Sequence, residues 1–332
     1  MERELALEFA RVTEAAALSS SRWVGRGDKI AADQAAVTAM RVMFDTVSID
    51  GMVVIGEGEM DEAPMLYIGE KVGTGVAPAV DIAVDPLEGT NVVAKGTNGA
   101  IAVLACAPSG CLLHAPDMYM DKICVGPESR GRVFLDASVR ENLRQVAKAL
   151  NKSVGEVTVV ILDRPRHQTL IEEVRQVGSR IQLISDGDVS PGVAAGLPNT
   201  GVDILMGIGG APEGVITAAA MKCLGGDFQA RLWPEGDEAE DEIRRCHEMG
   251  IKDPNQLLTI DELVKTDDVI FVATGITDSA LLKGVRYEQG RVTTQTLVMR
   301  STSGTVRFIE AIHNPEKKPL FRDQRIKKLL RE

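Results

Sequence analysis

Histidine and cysteine are sparse in this chain of 332 residues, with four of the first and five of the second. The cysteines (106, 111, 124, 223, 246) are odd in number and form no C-x-x-C pair, which argues against both a zinc site and a disulfide framework. A reducing, cytoplasmic setting is therefore the default expectation. No apolar run approaches the ~20 residues that span a bilayer. The opening Met1-Glu2-Arg3-Glu4 lacks the apolar core of a signal peptide. Basic charge is in deficit: 37 Lys and Arg stand against 48 Asp and Glu, net −11. That balance disfavours nucleic acid and anionic membranes as partners. It leaves anionic substrates open, because a bound divalent cation inverts the local sign. Three catalytic templates are also missing. There is no G-x-S-x-G elbow, no Walker A loop and no Cys–His nucleophile pair.

What is present is an ordinary globular composition, 44% hydrophobic and 26% charged, in a chain long enough for two domains. Residues 3–18 place Leu5, Phe9, Val12 and Ala16 on one helical face, and a second helix is expected at about 29–46. Short strands follow at 52–55, 80–84, 100–105 and 118–125, joined without long helices, which favours mixed or antiparallel pairing. Beyond residue 138 the pattern alternates. Helix 139–150 precedes an apolar strand at 157–162, and then come helix 167–177, strand 180–184, helix 189–196, strand 202–208 and helix 212–223. This predicts a largely parallel, doubly wound sheet. The stretch 225–240 reads as turn, followed by helix 241–249, strand 269–274 and a closing hairpin at 292–299 and 304–312. The expected class is α/β, with an α+β metal-binding domain at 1–140 and an α/β substrate domain at 141–332.

Four acidic clusters sit at junctions between elements. Asp85-Pro86-Leu87-Glu88-Gly89-Thr90 follows the strand at 80–84, and Pro86 predicts that the strand stops there. Its two carboxylates and hydroxyl are the hard oxygen donors that Mg²⁺ or Mn²⁺ prefer. Lys29 and Asp33 lie one helical turn apart, and a surface ion pair would explain them equally. Glu57, Glu59, Asp61 and Glu62 crowd a glycine-containing turn, either a solvated loop or a cation site. Glu213 opens a helix after the glycines of 207–210. A dinucleotide fingerprint fails there, because the spacing is not G-x-G-x-x-G and Glu213 would face the pyrophosphate. Arg164-Pro165-Arg166 and Asp186-Gly187-Asp188 end successive strands, where a guanidinium pair could clamp phosphate and carboxylates could hold sugar hydroxyls. Solvated turns remain the alternative for both. Tyr119 reads equally as core or ligand. Together these groups point to phosphate-ester hydrolysis with two or more metal ions. Thr90 would orient the water and Asp61 would accept its proton.

The combination resembles the class II fructose-1,6-bisphosphatases of bacteria, within the lithium-sensitive phosphatase superfamily. The resemblance is carried by G-R-G-D-K…A-D at 25–33, V-I-G-E-G-E-x-D-E-A-P-M-L-Y-I-G-E at 54–70 and D-P-L-E-G-T at 85–90. It is also carried by A-P-D-M-Y-M at 115–120, R-P-R-H at 164–167 and G-I-G-G-A-P-E-G at 207–214. One departure is Ile30-Ala31-Ala32, where relatives usually have Asn-Thr-Ala. The resemblance implies metal ligation by Asp33, Glu57, Asp85, Glu88 and Glu213, and catalytic roles for Lys29, Asp61, Asp85 and Thr90. It implies substrate contacts from Glu88, Gly89, Thr90, Tyr119, Arg164, Pro165, Arg166, Asp186, Gly187, Asp188 and Gly210. Mn²⁺ or Mg²⁺ as cofactor, a layered α/β/α/β/α sandwich with the site between two domains, and a homodimer or homotetramer follow from the same likeness. The implied reaction removes the 1-phosphate of fructose 1,6-bisphosphate in gluconeogenesis, with sedoheptulose 1,7-bisphosphate as a possible second substrate. The rival readings are a non-catalytic sugar-phosphate-binding regulator and a nucleotide-dependent oxidoreductase.

Overall fold

A computed structural model describes residues 1, 3–58, 65–236 and 239–317. The chain forms two compact units, Met1–Cys111 with the chain returning from Asp268, and Leu112–Asp267. This differs from the contiguous 1–140 and 141–332 division expected from pattern alone. Elements are numbered here in chain order.

The first unit begins with α1 (Leu5–Ser20) and α2 (Lys29–Phe44). The apolar stripe of α1 is buried as its period requires, and Phe9, Val12 and Ala16 are fully enclosed with Met40 and Phe44 of α2. Each large side chain so enclosed contributes about 1.5–3 kcal/mol. Asp28 caps α2, its Oδ1 accepting the Ala31 N–H at 2.9 Å. The sheet of this unit contains β1 (Asp50–Ile55), β2 (Lys71–Val72), β3 (Ala79–Glu88) and β4 (Ile101–Pro108). It is completed by β11 (Ile270–Gly275), β12 (Arg286–Glu288), β13 (Arg291–Arg300) and β14 (Thr305–His313). Strand order is β12-β13-β11-β4-β3-β1-β2, with β14 on the other side of β13. Only β1 and β3 run parallel, as a mixed sheet was expected to allow. The hairpin of β13 and β14 matches its sequence pattern. What composition could not convey is that β11 pairs with β4, 160 or more residues away, and so brings the C-terminal strands into the first sheet.

Pro86 does not end its strand. β3 continues to Glu88, and the ladder with β4 slips by one residue between Asp85↔Val103 and Glu88↔Ile101. A bulge accommodates a proline that a regular ladder would reject. Asp85 Oδ1 accepts the Leu87 N–H at 3.0 Å and closes the turn around the ring. Thr90 then starts α3 (Thr90–Lys95), a short helix not expected from pattern. Its N-cap, Gly89, sits at φ +93°, and a Cβ there would press on Ala100 at 3.4 Å.

The second unit is built on β5 (Tyr119–Val125), β6 (Thr158–Leu162), β7 (Arg180–Ile184), β8 (Ile204–Gly210), β9 (Asp227–Trp233) and β10 (Leu258–Thr259). Its helices are α4 (Val139–Ala149), α5 (Gln168–Val177), α6 (Val189–Ala195), α7 (Ala211–Leu224), α8 (Ala239–Glu248) and α9 (Ile260–Leu263). The order β10-β9-β5-β8-β6-β7 is parallel only across β8-β6-β7 and antiparallel elsewhere. The expected parallel sheet is therefore half of a mixed one. The α/β class stands as expected. Strand β9 lies inside the stretch read as turn, with Phe228, Ala230 and Leu232 buried on its inner face. Among the described residues no helix is long and apolar enough to cross a membrane. All five cysteines are free thiols.

Candidate active site

An acidic set of candidate groups belongs to the first unit. Strands β1 and β3 are parallel neighbours whose last aligned pair is Ile55↔Ala83. Glu57 and Asp85 each lie two residues beyond that pair, so the same end of two adjacent strands carries both carboxylates. Glu88 is buried at 2% exposure just past the bulge, and Thr90 is half-buried at the start of α3. Backbone hydrogen bonds from Gly25 to the Val93 carbonyl (2.9 Å) and from Gly27 to the Ala94 carbonyl (3.0 Å) fasten the loop before α2 to α3. Lys29 and Asp33 follow on α2, Lys29 exposed and Asp33 half-buried. The alternative ion pair between them is not formed. Burial instead pushes the Asp33 carboxyl up to about 6. Asp61, with Glu59 and Glu62, lies outside the described residues.

The second unit gathers its groups at one sheet edge. Arg164, Pro165 and Arg166 follow β6, Asp186 to Asp188 follow β7, and Gly210 to Glu213 span the junction of β8 and α7. These are the carboxyl ends of the three parallel strands, the expected place for ligands in an open α/β sheet. Tyr119 joins them because β5 runs antiparallel to β8 and pairs Tyr119 with Gly210. It is not core: the ring is 40% exposed, with the Arg166 guanidinium stacked 4.2 Å from its centre. Arg166 also donates from Nε (3.3 Å) and Nη2 (3.0 Å) to the Ile208 carbonyl, which fixes the plane of the fork. Arg164 is looser, 3.9 Å from Asp186.

Behind this edge lies a charge cluster that sequence reasoning missed. Lys122, in the middle of β5 and 1% exposed, pairs with Asp188 at 2.8 Å and donates to the Gly210 carbonyl at 3.1 Å. Asp188 is thus a buried, paired carboxylate rather than a solvated one. Its Oδ1 and the Oε2 of Glu213 are buried without a hydrogen-bond partner. Burial raises the Glu213 carboxyl above its ordinary range, Lys122 opposes that rise, and Asp188 adds to it. Gly209 is required here, since a Cβ would stand 2.1 Å from Asp188 Oδ2 and 2.8 Å from the Lys122 side chain. The only signal for Lys122 in the sequence is a lysine that follows Asp121 inside a mostly apolar strand.

His167 is a second missed element. Its Nδ1 lies 2.7 Å from the Leu162 carbonyl, and its Nε2 accepts the Ile208 N–H at 2.7 Å. That pair of partners requires the neutral tautomer with the proton on Nδ1. Burial lowers the imidazole pKa in agreement. The ring therefore links the end of β6 to β8 and holds the carbonyl that Arg166 grips.

Among the described residues, no three His, Cys, Asp or Glu side chains cluster closely enough to hold a metal by themselves. The donor chemistry nevertheless suits a hard divalent cation. Asp33 bears a desolvated carboxyl, and Glu213 has a buried oxygen with no donor.

A family model described as bacterial fructose-1,6-bisphosphatase, glpX-encoded, matches residues 3–313. The chain is 51% identical over 328 residues to fructose-1,6-bisphosphatase 1 class 2 of Escherichia coli strain K12, covering 96% of this chain and 97% of that protein. It is 48% identical over 323 residues to fructose-1,6-bisphosphatase class 2 of Haemophilus influenzae, covering 94% and 97%. Likeness of this extent embraces both units and every segment carrying a candidate group, and the chain belongs to the bacterial class 2 fructose-1,6-bisphosphatase family.

Proposed function

We propose that this enzyme, a phosphoric monoester hydrolase, removes the 1-phosphate of fructose 1,6-bisphosphate to give fructose 6-phosphate and phosphate, as a step of gluconeogenesis. The observation that carries the reading is the edge of the second unit. There a stacked arginine, a tyrosine and buried carboxylates meet at three parallel strand ends. In this reading Tyr119, Arg164, Pro165, Arg166, Asp186, Gly187, Asp188 and Gly210 bind the sugar phosphate. Arg166 offers its remaining N–H groups as a pre-aimed fork. Asp33, Glu57, Asp85, Glu88 and Glu213 hold divalent cations, Mn²⁺ or Mg²⁺. When bound, such cations would neutralise the phosphate and acidify a water. Glu88, Gly89 and Thr90 meet the reacting phosphate, the Thr90 hydroxyl orients the attacking water, and Asp61 accepts its proton, with Lys29 balancing charge beside Asp33. Sedoheptulose 1,7-bisphosphate fits the same chemistry, with its second phosphate one carbon further along. We place the enzyme in the cytoplasm as a homodimer or homotetramer.

The test is phosphate release from fructose 1,6-bisphosphate by the purified chain. Activity should vanish in excess chelator and return with Mn²⁺ or Mg²⁺. Tight sugar-phosphate binding without turnover would instead favour a regulator. Full activity with no bound metal would remove the cations from the mechanism.

A further inference from the structure

A cavity of about 640 Å³ opens in the first unit, between the N-terminal part of α1 and the end of the β13–β14 hairpin. Three arginines line it: Arg3, Arg300 and Arg307. The hairpin turn adds Thr302 and Ser303, and Leu7 and Ile309 form an apolar wall. Register explains the gathering. Val298 pairs with Arg307 and Arg300 with Thr305, so alternate residues of the two strands put Arg300, Arg307 and Ile309 on one sheet face with Val298. α1 covers Val298 in the core but leaves the hairpin end open beside Leu7, which is 58% exposed.

The charge here runs against the rest of the chain, three guanidiniums in a protein of net charge −11. Arg300 has an acidic neighbour, Asp268 at 3.8 Å. Among the described residues Arg3 and Arg307 pair with no acid. Arg300 Nη2 donates to the Met1 carbonyl at 2.5 Å, while its Nε is buried with no acceptor. A buried donor left unsatisfied is destabilising, and like charges gathered in one cavity repel unless an anion joins them. A volume of this size is typical of small-molecule sites and exceeds a bare phosphate.

We propose that this cavity is a binding site for a small phosphorylated anion, with the phosphate held by Arg3, Arg300, Arg307 and the turn hydroxyls and an organic part lying on Leu7 and Ile309. It is built wholly from the first unit and shares no residue with the candidate active site. Calorimetric titration of the full chain, loaded with Mg²⁺, tests it with inorganic phosphate and with phenylphosphonate as probes. The wild type should show two phosphate sites, and Arg3→Ala/Arg307→Ala only one. The variant's hydrolysis rate in phosphate-free buffer should change less than about twofold. Phenylphosphonate should bind the cavity more tightly than phosphate, and Leu7→Gln should cancel that gain. Equal affinity of the two probes would overturn the organic part and leave a plain phosphate site. Should the double variant not fold, Arg307→Lys keeps the charge and loses the fork, and should weaken this site about five- to tenfold. A single phosphate site in the wild type, or isotherms unchanged in every arginine variant, overturns the proposal.

Discussion

The candidate groups of the first unit and those of the second are organised on opposite electrostatic plans. In the first unit the candidate groups Asp33, Glu57, Asp85 and Glu88 are carboxyls, and Lys29 is the base among the candidates. In the second, Lys122 pairs with Asp188, Arg164 lies near Asp186 and Arg166 grips a backbone carbonyl, while Glu213 Oε2 is buried without a hydrogen-bond partner. An acid-rich group gains from external cations, because its mutual repulsion falls when they bind. A balanced, internally bonded group is shaped before anything arrives, so less ordering remains to be done on binding. The first plan suits charge neutralisation at a reacting phosphate, and the second suits holding and orienting a substrate.

The comparison breaks most visibly at Thr90. Thr90→Val preserves shape and removes the hydroxyl at the start of α3, so kcat should fall by roughly 10²–10⁴-fold with KM little changed. A normal kcat would shift the orienting role to another group of the first unit. The next largest effect belongs to Lys122. Lys122→Met leaves Asp188 buried without its partner and should cost about 3–5 kcal/mol of stability, read by urea unfolding. Lys122→Met/Asp188→Asn should recover much of that loss while binding stays impaired. If the single variant is as stable as wild type, the Lys122–Asp188 pair does not hold the second unit in shape before substrate arrives.

Arg166 sharpens the distinction between holding and reacting. Arg166→Ala should raise KM for fructose 1,6-bisphosphate roughly 10–100-fold, the loss of charge-assisted hydrogen bonds, with a smaller change in kcat. A small monophosphate with no second anchor should be much less affected, and equal losses on both substrates would place Arg166 at the reacting centre. The smallest effect is a pH dependence at Asp33. Its carboxyl is raised to about 6 from 3.8 in the folded, cation-free chain. Folding therefore favours the protonated acid. The penalty is absent below about pH 3.8, grows from there to about 6, and is complete above it. In chelator, Asp33→Asn should raise Tm by about 2–4 °C near pH 8, and the gain should shrink as the pH falls towards about 4. The same gain at both ends of that range would mean that Asp33 carries no burial cost.

Much of this was legible along the chain. The amphipathic stripe of α1, the closing hairpin, the alternation from β6 to α7 and the junctions bearing Arg166, Asp188 and Glu213 all follow from local periodicity and turn chemistry. Other features needed a partner that a local window does not contain. Pro86 reads as a strand end because proline cannot donate to a ladder, yet a bulge opposite β4 lets β3 run on to Glu88. Strand β9 hides behind Gly225-Gly226 and acidic neighbours, and only pairing with β5 makes its alternation a strand. Lys122, next to Asp121 in a mostly apolar strand, has no meaning until Asp188 and the Gly210 carbonyl are beside it.

By itself, then, the amino-acid sequence determined most of the element types, which residues stand at their ends and the family, since these depend on residues within a few positions of one another. Tertiary structure alone decided that β11 to β14 return to the first sheet, that only three strands of the second are parallel, and that Asp188 is paired rather than solvated. Strand partnership and charge pairing are set by contacts between residues far apart in the chain. Their free energies come from burial and desolvation, which exist only once the two partners have met.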